Sequence, residues 1–237
     1  MTVDPIHFTH ATLNTGQGAS SLAAFLVASS GSIGRGHHLV WSLFGDRGRV
    51  RPFVYRGLGA NASDGYLIYS ETPPVDRHSL WRLEQREFRL PESLRAGDRV
   101  LWSLRVNPVV KSGNKKHDAA LRAWREWCEA NPSAGAAERP SVGDLARKVV
   151  PDWLAPRLAR HGLAAKPAEM VVEAHRRERF LKDPNAPRDR ANDVVVWMSD
   201  VGGVGEVTCP ETLRAVVCRG VGGAGAYGCG MLLLRRA

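Results

Sequence analysis

The chain predicts an α+β fold, antiparallel sheets covered on one side by helices, and three observations carry that prediction. Residues 6–106 run strand, helix, strand, strand, a poorly marked helix, strand. Residues 111–237 repeat that order in part, without an internal sequence repeat. The clearest strand has Val100, Trp102, Leu104 and Val106 on one face and Arg99, Leu101, Ser103 and Arg105 on the other, which is the period of two that a half-buried strand requires. The order β-α-β-β-α-β is that of a ferredoxin-like domain. At 237 residues there is room for two such units of about 100 residues each. The expected domains are 1–110 and 111–237.

Taken in order, Ile6 to Leu13 alternate loosely as a first strand, and 20–30 is a candidate helix. Val40, Trp41 and Phe44 share one face of a short helix that starts near His37. Arg51 to Arg56 and Gly65 to Ser70 are strand-like, separated by a Gly/Asn/Asp turn. Residues 75–83 are the only candidate for the second helix, and Phe88 and Leu90 alternate with charged neighbours. Asn107-Pro108 ends the strand before it.

In the second half, Lys111 to His117 reads as a basic, flexible connector into a helix whose apolar face holds Ala120, Trp124, Trp127 and Cys128. Residues 131–140 form a loop, and 142–163 have a mixed helical pattern. Residues 168–181 fit either a strand or a helix start, and contain the densest basic stretch, Arg176, Arg177, Arg179 and Lys182. A loop is expected over 183–192 and a strand over 193–198, with Gly202-Gly203 turning into 204–207. Thr208, Pro210 and Glu211 mark a helix start, Gly220 its stop, and Met231 to Leu234 a last strand.

The formal charge of +9 and a sequence pI near 9.9 fit a polyanionic partner. No run of about 18 apolar residues exists, so no transmembrane helix is expected. Met-Thr-Val-Asp supplies no basic region for a signal peptide. Cys128, Cys209, Cys218 and Cys229 form no metal-binding spacing and read as small buried hydrophobes in a reducing cytoplasm. No metal and no cofactor are expected.

Six glycines lie between Gly220 and Gly230. Gly220, Gly222 and Gly225 spell G-x-G-x-x-G, but a helix precedes it and a strand follows, the reverse of a dinucleotide fingerprint. The loop is instead shaped to lie against something, with its N–H groups free to face phosphates.

Gly-Val-Gly followed by Ala-Tyr-Gly-Cys-Gly-Met-Leu-Leu-Leu resembles the C-terminal glycine-rich loop of the RAMP superfamily of CRISPR-associated proteins. It is similar in particular to that of the CasE-type endoribonucleases of type I-E systems. His37-His-Leu-Val-Trp-Ser-Leu-Phe44 with Arg51-Pro-Phe-Val-Tyr-Arg56 resembles that family's first helix and second strand. Leu101 to Lys111 resembles its strand and Asn-Pro segment. The order and spacing of the three stretches make the match specific.

The resemblance implies two tandem ferredoxin-like (RAMP) domains and metal-independent cleavage of precursor CRISPR RNA at the base of the repeat hairpin. It implies that the protein stays on the mature crRNA and joins the other Cascade subunits, chiefly the backbone subunit, in the cytoplasm, with no membrane partner. The alternative is a non-catalytic subunit that holds the same hairpin. His37 is the implied acid/base residue, four positions before Trp41; histidine titrates near working pH, which suits the role. His38 is the rival, about 100° round a helix from it. The tyrosine that many members carry three residues before the histidine is Gly34 here, and the loop lysine often seen in the family is Gly225. Arg35, Tyr227 or an arginine near Arg51 are the remaining candidates for charge stabilisation. Lys111, Lys115 and Lys116, a second cluster of Arg176, Arg177 and Arg179, and the loop glycines Gly220, Gly222, Gly223, Gly225 and Gly228 are the expected RNA contacts. The family is usually shorter around 131–165, so that stretch is expected as an insertion.

Overall fold

The computed structural model describes residues 6–14, 33–45, 51–59, 64–77, 79–88, 94–181 and 193–237. The helix expected over 20–30 and the loop over 183–192 lie outside them. The first module contains β1 (Ile6–Leu13), α1 (Ile33–Trp41), β2 (Phe53–Gly57), β3 (Tyr66–Ser70) and β4 (Trp81–Phe88). Its sheet is antiparallel, with strand order β2-β3-β1-β4. That is the ferredoxin-like order.

The second helix expected over 75–83 does not form among the described residues. Pro73-Pro74 favour extended backbone before it. The Asp76 carboxylate then accepts the Trp81 N–H at 2.8 Å, and Ser79 takes φ +54, so the chain turns directly into β4.

The second module contains β5 (Arg99–Val106), the β6 (Val109–Ser112) and β7 (Lys115–Asp118) hairpin, α2 (Ala119–Ala130), α3 (Val142–Arg160), β8 (Leu163–Ala164), β9 (Met170–Leu181), β10 (Asp193–Val207), α4 (Pro210–Arg219) and β11 (Leu232–Arg236). Its strands run β11-β5-β10, with β9 along most of the outer edge of β10 and the short β8 at Glu206 and Val207. Counting β5, β9, β10 and β11 as the four principal strands gives the same permutation as the first sheet. β5 therefore belongs to the second sheet, although the sequence places it before a boundary at 110. The division between sheets falls between Phe88 and Arg99. Strand pairing is non-local, so the clear alternation of β5 predicts its faces but not its partners.

Three more expectations change. Gly202-Gly203 is not a turn, because β10 continues through it with a bulge opposite Asp200/Val201. A Cβ on Gly203 would stand 2.6 Å from the Glu169 carbonyl oxygen, and one on Gly205 2.9 Å from that of Ala164. These glycines admit neighbouring backbone. The N-cap of α4 is Cys209, with no side-chain capping bond, in place of Thr208. Residues 131–165 are no appendage: Leu145, Val150, Leu154 and Leu158 of α3 are buried in the main core.

That core spans both modules. Ile6, Val54 and Tyr69 of the first sheet pack in one cluster with Trp102, Leu104, Val216 and Met231 of the second. An aromatic cluster containing Trp41, Phe53, Tyr55, Tyr66 and Trp81 fills the space between α1 and the first sheet. Among the described residues, no helix is long and apolar enough to cross a membrane.

Candidate active site

The position of α1 is set by Gly36. A Cβ there would lie 3.1 Å from Tyr66 Cε1 and 3.3 Å from its hydroxyl oxygen, so glycine lets the helix settle onto the sheet. The next residue, His37, is half-buried over β2. Its ring lies at 27° to that of Tyr55, with centroids 6.4 Å apart, and 6.1 Å from the ring of Phe53. The Trp41 indole N–H, one helical turn on, donates to His37 Nε2 at 3.0 Å. The bond gives the spacing of four a direct physical role: it fixes the imidazole's orientation, with Nε2 unprotonated and its lone pair occupied by the indole N–H. His38 is exposed, its ring tilted 59° from that of His37. Arg35 lies in the first turn of α1, and its side chain is outside the described part of the structure.

The glycine loop arrives from the other end of the fold. Gly220 ends α4 at φ +85, its N–H donating to the Val216 carbonyl at 2.6 Å. The chain closes on itself through the Val221 N–H to the Gly230 carbonyl, 2.9 Å, and anchors to β5 through the Gly230 N–H to the Arg105 carbonyl, 2.8 Å. Between them, Gly225–Tyr227 form a single 3₁₀ turn that packs against α1. The Tyr55 hydroxyl donates to the Ala226 carbonyl at 2.7 Å. Burial holds that phenol protonated, well above its usual range. The imidazole and the loop are thus brought together, both resting on Tyr55.

The five loop glycines divide. A Cβ on Gly220 would sit 3.0 Å from Val54 Cγ1, and one on Gly228 3.6 Å from Tyr55 Cε2. Both face the protein, not a ligand. Gly222 and Gly223 are exposed, with nothing near the place a side chain would take. Gly225 is covered by the Arg51 guanidinium: a Cβ there would be 2.4 Å from one of its terminal nitrogens. Tyr227 packs beside Val196, Met198 and Cys229, toward β10.

Behind the loop, four charged side chains meet. Arg105 grips both oxygens of Asp200, at 2.6 and 3.1 Å, and Arg176 and Arg56 approach the same carboxylate at 2.7 and 3.4 Å. Arg56 comes from the first sheet and the others from the second, so Asp200 ties the modules together. Burial alone would raise the Asp200 carboxyl, but hydrogen bonds from Arg105 and Arg176 hold it down to about 2.

The basic candidates separate in the same way. Arg176 is engaged by Asp200 and Glu178, and Arg179 by a two-oxygen pair with Asp193. Arg177 is exposed. Lys111, Lys115 and Lys116 are exposed on the β6–β7 hairpin, an ordered element where a flexible connector is expected. Its foot abuts β9: Asp118 Oδ1 lies 3.4 Å from His175 Nε2, next to Arg176 and Arg177. Sequence reasoning missed Arg105 and Asp200 altogether, because nothing local marks an inter-sheet network. Cys218 and Cys229 are buried and their thiols pushed up to about 11 and 12, whereas Cys128 and Cys209 are only half-buried.

Two antiparallel sheets of one strand order, with a histidine helix and a glycine loop meeting over the first, define a tandem ferredoxin-like protein. The chain belongs to a family described as CRISPR associated protein, whose profile matches residues 6–236. Among solved structures it is similar to Thermus thermophilus Cse3 bound to an RNA representing a pre-cleavage complex, at 20% identity and a TM-score of 0.63, covering 98% of this chain and 99% of that one. It is similar to Cas6e from Escherichia coli str. K-12 at 15% identity and a TM-score of 0.54, covering 98% and 100%. A chain of a CRISPR RNA-guided surveillance complex matches at 18% identity and a TM-score of 0.62, also covering 98% and 100%. At these identities the likeness establishes the shared fold. No curated protein matches the chain in sequence.

Proposed function

We propose that the protein is a CasE-type endoribonuclease that cuts precursor CRISPR RNA at the base of the repeat hairpin without a metal ion. It then keeps the mature crRNA and joins a Cascade complex in the cytoplasm, chiefly through the backbone subunit. The single observation carrying this reading is the seating of His37 on Tyr55 beside the glycine loop, in a chain of the CRISPR-associated family. The fold likeness to structures named CRISPR endoribonucleases and to a chain of a surveillance complex supports it.

RNA carries its own nucleophile. The 2′-hydroxyl loses its proton to a base, and its oxygen forms a bond to phosphorus. The bond from phosphorus to the 5′-oxygen breaks, and that oxygen takes a proton from an acid. A cyclic phosphate and a 5′-hydroxyl result. His37 serves as base through the Nε2 lone pair, or as acid once protonated, a contribution of roughly 10²–10⁴ in rate. Trp41 must release Nε2 first. The same clasp favours the second reading, a non-catalytic subunit that only holds the hairpin. The exposed Lys111, Lys115, Lys116 and Arg177, with the exposed backbone of Gly222 and Gly223, serve as phosphate contacts.

The test is incubation with the cognate repeat RNA in EDTA, alongside His37→Ala and His38→Ala. The wild type and His38→Ala are expected to cut. His37→Ala is expected to lose at least 100-fold in rate while still binding. Uncut RNA bound tightly by the wild type would favour the holding subunit, and cutting by His37→Ala would move the chemistry elsewhere.

A further inference from the structure

Arg51, just ahead of β2, differs from the three arginines that meet at Asp200. Arg56, Arg105 and Arg176 converge on Asp200. Among the described residues, no carboxylate pairs with Arg51. It is half-buried, and burial lowers its pKa, only partly offset by Tyr55. Its guanidinium carbon lies 5.7 Å from the centre of the Phe53 ring, the ring that also packs 6.1 Å from His37. Its terminal nitrogens cover Gly225, where a Cβ would lie 2.4 and 2.6 Å from them. A desolvated cation without a counter-charge is costly. Here packing holds a half-buried guanidinium against Gly225 and against the ring that His37 also touches, where an incoming anion would neutralise it.

We propose that Arg51 is the catalytic cation of this site: its guanidinium holds the non-bridging oxygens of the scissile phosphate while His37 moves protons. The proposal rests on the cleavage reading above. The planar guanidinium matches two phosphate oxygens at once. As the 2′-oxygen adds to phosphorus, negative charge grows on those oxygens, so the contact strengthens where it lowers the barrier. Gly225 is glycine because a side chain there would displace the guanidinium.

The experiment measures single-turnover cleavage of the repeat RNA in EDTA by the wild type, Arg51→Ala, Arg51→Gln, and Arg51→Ala combined with Gly225→Lys. Binding of uncut RNA is followed against salt in the His37→Ala background, with and without Arg51→Ala. Both single Arg51 variants are expected to lose about 10²–10³ in rate, and Arg51→Ala to shallow the salt slope by about one. The double variant is expected to regain at least about tenfold of that loss, since a lysine from residue 225 starts where the guanidinium lay. Wild-type rates in Arg51→Ala, or an unchanged salt slope, overturn the assignment. A slow, unrescued double variant overturns the placement over Gly225. If the wild type itself does not cut, the cleavage reading fails, and the salt slope alone decides whether Arg51 meets a phosphate.

Discussion

Asp200 shows how much one side chain can organise. Three guanidinium groups from β2, β5 and β9 close on its carboxylate, which is 11% exposed. Removing the carboxylate leaves like charges packed together without their counter-ion. Asp200→Ala is expected to cost about 3–5 kcal/mol, read as a lower urea midpoint. The acid dependence has a definite sign. The folded carboxyl titrates near 2 against an ordinary 3.8, so the ionised form is favoured by folding. That contribution, about 2 kcal/mol, is complete above the ordinary value and is lost as pH falls toward 2. Acid titration of stability is therefore expected to be shallower in Asp200→Asn between about pH 4 and 2. At this scale the sequence is legible where spacing is local. His37 and Trp41 sit four apart, and the structure gives that spacing a hydrogen bond. Arg51 over Gly225 and Arg56 against Asp200 are contacts between distant positions, and no local pattern encodes them.

At the scale of elements, the β6–β7 hairpin sets Lys111 directly opposite Lys116. Like charges across a pair of strands oppose folding by about 0.2–1 kcal/mol, and a phosphate backbone relieves that repulsion. Lys111→Ala combined with Lys116→Ala is expected to leave melting unchanged or slightly raised, and to shallow the salt dependence of RNA binding by about two. Unchanged salt dependence would place the RNA elsewhere. The hairpin was legible in principle: Gly113-Asn114 between two short runs is a turn signal, and Gly113 takes φ +56. Its strands are only four residues long and rich in lysine, a pattern shared with a solvated connector. The glycines of β10 misled in the opposite direction, since glycine marks close approach as readily as a turn.

Across the whole molecule, the β-α-β-β order and both sheets' ferredoxin-like strand order agree with the sequence, but the seam between modules does not. β5 carries an unambiguous strand pattern and still joins the sheet made mostly from later residues. Because Ile6, Val54 and Tyr69 share a core with the second sheet, the modules are expected to unfold together. Calorimetry should give one transition with equal calorimetric and van't Hoff enthalpies, and two resolved transitions would mean the shared core is weaker than its packing indicates.

The bond from Tyr55 to Ala226 joins positions 171 residues apart. A ribosome has therefore made β2 and α1 long before it makes the loop they rest against. Until residue 226 has left the exit tunnel, the imidazole stands beside a half-built wall, and a growing chain has no finished cleft. Emergence of the glycine loop is itself the step that assembles the site.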